Sequence, residues 1–85
     1  MPYEAAIRSL AYEWADFAHV NSVSPGYFGD GMGATDKELH HAYSQTVLGR
    51  FGGYHELKAA YLFLASDASS FVTGSDIVVD GGYSI

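Results

Sequence analysis

The sequence predicts an α/β chain, part of a doubly wound parallel sheet in the order helix, strand, helices, strand. Apolar residues recur at helical steps over residues 3–18. Two short strand-like runs, His19–Ser24 and Asp76–Asp80, are separated by helical segments and not by a hairpin turn. In the second run Ile77-Val78-Val79 is apolar without alternation, which suits a parallel strand covered on both faces.

Each element has a local cause. Tyr3, Ile7, Leu10, Trp14 and Phe17 form one stripe, and Ala5, Ala6, Ala11, Ala15 and Ala18 widen it, so the first helix has apolar contacts on more than one side. Pro25-Gly26 ends the first strand, because proline cannot continue a ladder. Residues 25–34 form a glycine-rich loop. Thr35 and Glu38 then make a capping box that opens a helix running to about Val47. Gly49-Arg50-Phe51-Gly52-Gly53 breaks it. A third helix runs from Tyr54 to Ser66 with Leu57, Ala60, Tyr61, Leu64 and Ala68 on one face, and Asp67–Gly74 is a turn segment. Two strands and a crossover are not a self-sufficient sheet, so the pattern is that of the end of an α/β domain.

Composition narrows the function. The 85 residues are 48% hydrophobic and 15% aromatic, more apolar surface than so small a body easily hides. Self-association, or membership of a larger body, is the expected consequence. Ten acidic groups against four basic ones, for a net charge of −6, disfavour nucleic acid and anionic membrane. The longest apolar run, Ala59–Ala65, is far short of the roughly 20 residues that span a bilayer. No secretory signal is visible at the first residues, and there is no cysteine for disulfide, thiolate or Cys-zinc chemistry. A cytoplasmic protein is expected.

Three motifs compete with plainer readings. Gly29-Asp30-Gly31-Met32-Gly33-Ala34 fits the dinucleotide pattern G-x-G-x-x-[GA]. Pro25–Phe28 intervenes after the strand, however, and Asp30 puts a negative charge where a pyrophosphate would sit, so the segment reads as a flexible loop. Tyr54 and Lys58 have the Y-x-x-x-K spacing in which an ammonium assists a phenol in proton transfer, a spacing also ordinary at a helix start. Adjacent His40 and His41 point about 100° apart on a helix and cannot chelate together, and His55-Glu56 lacks the second His of H-E-x-x-H, so no metal site is expected.

Four segments in order carry a resemblance: Asn21-Ser22-Val23-Ser24-Pro25-Gly26, Leu48-Gly49-Arg50-Phe51-Gly52, Phe63 through Gly74, and Val79-Asp80-Gly81-Gly82. The chain resembles the C-terminal third or so of a short-chain dehydrogenase/reductase, whose fold is Rossmann-like. Through residues 9–23 it is most similar to fungal NADP-dependent mannitol dehydrogenases, sorbose reductases and L-xylulose reductases. Residues 1–85 would then be the C-terminal portion of one such domain, with residues 25–48 corresponding to its substrate lid. The resemblance implies that Pro25, Gly26 and Phe28 line the nicotinamide part of the cofactor site. It places Tyr27 with the substrate, and Asp30 where the family usually has a cofactor-contacting Thr.

The Arg50 turn, the helix from Tyr54 and the last strand would be scaffold and subunit interface, with Asp80 securing the C-terminal turn. The family's glycine loop, catalytic Ser and Tyr-x-x-x-Lys lie upstream, the Lys falling at or just before Met1, and Tyr54 and Lys58 lie on the wrong helix. No catalytic residue is therefore assigned. The expected function is a C-terminal fragment of an NAD(P)H-dependent oxidoreductase interconverting a sugar alcohol and a ketose. Alone it is expected to be inactive and to bind NADP weakly or not at all. Expected partners are a homo-oligomer or a full-length homologue; the alternative is a non-catalytic interaction module or gene remnant that associates with such homologues.

Overall fold

A computed structural model describes residues 2–31 and 33–85. Met1, beside which the family's Lys would fall, and Met32 of the glycine loop lie outside the described residues. The elements are α1 (Pro2–Glu13), β1 (Ser22–Pro25), α2 (Asp36–Ser44), α3 (Tyr54–Ala65), a 3-10 turn (Asp67–Ser69) and β2 (Asp76–Val79). β1 and β2 pair in parallel, Ser22 opposite Asp76 through Pro25 opposite Val79, so the predicted class and element order hold.

Both strands differ from their expected bounds, β1 running over Ser22–Pro25 and β2 over Asp76–Val79. The N–H groups of Ser22 and Gly26 donate to the carbonyls of Ser75 and Val79 at 2.9 and 3.0 Å. With the period of two along a strand, the nitrogen of Pro25 therefore faces away from β2, and proline can close the pairing instead of preceding its end. Residues 19–21, predicted as strand, are held by side chains. The Val20 N–H donates to Thr73 Oγ1 at 3.1 Å, while the Asn21 amide donates to the Val72 carbonyl and accepts the Ser75 N–H.

The two sheet faces differ. Ser22, Ser24 and Asp76 share one face with Val78. Both serine hydroxyls donate to the Asp76 carboxylate at 2.8–3.0 Å, and the Tyr3 hydroxyl meets Ser24 Oγ at 2.7 Å, which fastens the start of α1 over the strands. Val23, Ile77 and Val79 alternate to the opposite face, and α3 packs against both strands. The expected cover on both faces is incomplete: Val78 is 50% exposed.

α1 stops at Glu13, and its stripe divides. Ile7 and Leu10 are half-buried and Ala11 is buried, whereas Trp14 and Phe17 follow in turns and stay exposed. On α3, Leu57, Ala60 and Leu64 face inward as the periodicity predicts, but Tyr61 points out. Among the described residues Ala11 is the one buried hydrophobic side chain. The radius of gyration is 15.5 Å, against about 12 Å for a self-contained domain of this length. The accessible surface is 6229 Å², against about 4,900 Å² for a folded chain of this mass. The elements are formed, but most of what they would bury is uncovered.

Candidate functional site

In open parallel sheets, ligands bind beyond the carboxyl ends of the strands. Here those ends are Pro25-Gly26 and Val79-Asp80, and they approach closely. A Cβ on Gly26 would lie 2.6 Å from Asp80 Cβ and 2.8 Å from its Cα. Only glycine fits there. Asp80 is held from the other side, its carboxylate accepting the N–H groups of Gly82 at 2.9 Å and Ser84 at 3.2 Å. The Ser84 hydroxyl, followed by these backbone donors, keeps the Asp80 carboxyl below its ordinary range. Its expected part, securing the C-terminal turn, is what the geometry shows.

Two clefts open at this end. One, of about 590 Å³, is lined by Tyr3, Glu4, Pro25, Gly26, Asp76 and Tyr83 among others. The other, of about 220 Å³, is lined by Phe28, Arg50, Gly52, Glu56 and Asp80 among others, and Tyr27 borders both. The structure thus brings Pro25, Gly26, Tyr27 and Phe28 together. Asp30 is exposed, and lines neither cleft.

Phe28 is positioned by backbone. It pairs with Gly52 in an isolated parallel bridge, with Gly29 N–H donating to the Gly52 carbonyl at 3.0 Å and Gly52 N–H to the Tyr27 carbonyl at 2.9 Å. A Cβ on Gly52 would collide with the Phe28 ring. Tyr27 stacks on Phe51 at 5.3 Å and meets Tyr83 edge-on at 5.6 Å, while Tyr43 of α2 meets Phe51 edge-on at 4.9 Å. These rings tie Tyr27 and α2 to the Gly49–Gly53 turn.

The competing motifs take other places. At the glycine loop, Thr35 Oγ1 accepts the Glu38 N–H at 3.2 Å and donates to the Glu38 carboxylate at 3.1 Å. With Asp36 and Glu38 in the first turn, the start of α2 already carries the negative charge a phosphate would bring. Tyr54 comes up against Gly29, whose Cβ would sit 2.6 Å from the phenol oxygen. His40 lies edge-on to Tyr43 at 6.4 Å.

Residues that sequence reasoning left as scaffold organise the turn. Arg50 binds Glu56 through two hydrogen bonds, 2.9 and 3.1 Å, and also donates to the Phe51 carbonyl. Glu56 accepts the Gly53 N–H at 2.9 Å and so caps α3. The Arg50 guanidinium, then the Gly53 N–H, pulls the Glu56 carboxyl down to about 2, and Arg50 is raised in turn. Glu56 at the third position after Gly53 was the available signal for the cap; the six-residue spacing to Arg50 follows no helical period. Buried Thr46 donates to the Tyr43 carbonyl and accepts the Gly49 N–H, ending α2 three residues before the predicted Val47. Among the described residues lining the two clefts at the strand ends, Arg50 is the one cation, already engaged by Glu56, and Glu4, Asp76 and Asp80 face the larger one. This excess of carboxylates disfavours a phosphate in these clefts.

A parallel sheet crossed by helices, with glycine at the closest approach of its strand ends, defines a doubly wound α/β protein. A family model described as enoyl-(acyl carrier protein) reductase matches residues 2–84, and the chain belongs to that family, among the short-chain dehydrogenases/reductases. It is 54% identical over 78 residues to the NADP-dependent mannitol dehydrogenase of Aureobasidium melanogenum, a match covering 89% of this chain and 29% of that protein. It is 55% identical to a sorbose reductase of Schizosaccharomyces pombe, covering 89% and 31%. The crystal structure of the NADPH-dependent 3-quinuclidinone reductase of Rhodotorula rubra superposes with a TM-score of 0.81 at 51% identity, over 95% of this chain and 31% of that one. The chain thus spans about 30% of the length of the relatives it matches.

Proposed function

We propose that these residues are the C-terminal portion of an NADP(H)-dependent oxidoreductase that interconverts a sugar alcohol and a ketose in the cytoplasm. The observation that carries this reading is the Gly26–Asp80 approach at the strand ends, set in a chain about half identical to reductases of that type. Pro25, Gly26 and Phe28 would form the wall against the nicotinamide, and Tyr27 would face the substrate from within a lid-like segment spanning residues 25–48. The cofactor, when bound, supplies the hydride; this segment supplies shape and excludes water. The acidic larger cleft and the committed Arg50 leave phosphate binding to other parts of the fold. The 85 residues alone are therefore expected to bind NADPH weakly and to turn over nothing.

The test is NADPH oxidation with fructose, sorbose or xylulose. The isolated chain should stay at the blank rate. Co-expression with the part of the Aureobasidium melanogenum enzyme outside the matched 78 residues should restore a rate. A clear rate from the isolated chain, or none from the pair once a complex is shown, would sink the reading.

A further inference from the structure

We propose that Tyr54 is a positioning residue for the strand-end site: its phenol, seated on Gly29, holds Phe28 in the place the functional reading gives it. The inference rests on that reading for its consequence, but its test reads where Phe28 stands and not turnover. Phe28 is joined to Gly52 by an isolated bridge, whose two bonds come from the N–H groups of Gly29 and Gly52. So short a ladder is not stable by itself, and glycine weakens it further by giving neighbouring side chains nothing to pack on. An aromatic ring laid over such a glycine from the facing segment makes up that loss. Here both glycines are covered. The Phe28 ring lies over Gly52, and the Tyr54 ring lies over Gly29, where a Cβ would come within 2.6 Å of its oxygen and 3.1 Å of its Cζ.

The ring has a fixed base. Tyr54 is the first residue of α3 and follows Gly53, whose N–H is held by Glu56, itself bound twice by Arg50. Its backbone is thus tied close to Gly52, and its side chain reaches across to Gly29. Gly29 has a φ of +86°, so it is glycine by conformation as well as by contact. Phe28 lines the smaller strand-end cleft and Tyr54 lines neither, so Tyr54 acts on the site through Phe28. The spacing to Lys58 that set Tyr54 apart in the sequence plays no part in this role.

The test is amide hydrogen exchange at residue resolution on the 85-residue chain, reading Gly29 and Gly52. The forms compared are wild type, Tyr54→Ala, Tyr54→Phe, Gly29→Ala, and Tyr54→Ala combined with Gly29→Ala. Tyr54 is 59% exposed and alanine favours helix more than tyrosine does, so Tyr54→Ala spares α3. Its Gly29 and Gly52 amides should exchange about tenfold faster, while residues 57–65 and 76–79 hold. Tyr54→Phe keeps the ring and should stay within about threefold of wild type. The methyl added by Gly29→Ala pushes the ring off, so the Gly52 amide should speed there too. Adding Tyr54→Ala to that variant should then change Gly52 exchange by less than about threefold. Unchanged Gly52 exchange in Tyr54→Ala, an equal loss in Tyr54→Phe, or two alanine effects that simply multiply would overturn the proposal. The expected pattern without NADPH oxidation in the assay above would refute the functional reading and leave Tyr54 as the residue that places Phe28.

Discussion

Replacing Gly26 with alanine tests whether the strand ends are packed as tightly as the site requires. The new Cβ would meet Asp80 Cβ at 2.6 Å and Cα at 2.8 Å. Ordinary carbon contacts lie at about 3.5–4.0 Å, so the two strand ends must part by about 1 Å. Asp80 cannot give way by a rotamer change, since the nearest atoms include its Cα and the Gly82 and Ser84 N–H groups hold its carboxylate. Parting instead stretches the Gly26 N–H bond to the Val79 carbonyl, now 3.0 Å, beyond useful length. The lost bond is worth about 1 kcal/mol and the overpacking about 1–3 kcal/mol more, so a loss of about 2–4 kcal/mol is expected. The assay is a urea titration followed by far-ultraviolet circular dichroism, with variant and wild type at one chain concentration. With a slope of about 1 kcal/mol per molar, the midpoint should fall by about 2–4 M. A midpoint within about 0.3 M of wild type would show that the strand ends yield freely, and the argument for Gly26 as a fixed wall would fail.

Further outcomes follow from other contacts. Sedimentation at micromolar concentration should show dimers, larger assemblies or aggregates, because Phe71, Ile85, Tyr12 and Phe17 are among many uncovered large side chains; a single 9.2 kDa species with a cooperative melt contradicts this. The folded Glu56 carboxyl is depressed from 4.5 to about 2, so its contribution to stability is present above the unfolded value and lost as pH falls through that window. Glu56→Gln should flatten the urea midpoint's dependence on pH there, and an unchanged slope argues against the Arg50 pair. Tyr43→Ala should speed amide exchange across residues 36–44 by about tenfold while residues 76–79 hold, and Tyr43→Phe should not; uniform exchange in all three forms denies the ring contact with Phe51 any role in seating α2.

How much of this was legible depended on whether the cause was local. The capping Thr35, the inward stripe of Leu57, Ala60 and Leu64, and the parallel pairing of Ile77-Val78-Val79 each follow from neighbours in sequence, and they stand in the structure. The site was legible only through Pro25-Gly26, a turn signal that also marks a strand end. That its glycine answers to Asp80, more than fifty residues away, has no period or motif to announce it. The same holds for the Arg50–Glu56 pair, the rings around Phe51, and Asn21, whose amide replaces a ladder that periodicity extended back to His19.

The pairing of Ser22 with Asp76 also has a consequence in time. The sheet joins segments 54 residues apart in sequence. Helices can form as the chain is made, within microseconds and from local contacts alone, but closure of so long a loop carries an entropy cost that only completed strands offset. During synthesis β1 therefore emerges long before β2 exists. Until β2 has formed, both edges of β1 are open, and any extended apolar strand nearby competes for the place β2 will take. The order in which the two edges fill, and not the final contacts alone, then decides whether the product is an assembled fold or an aggregate.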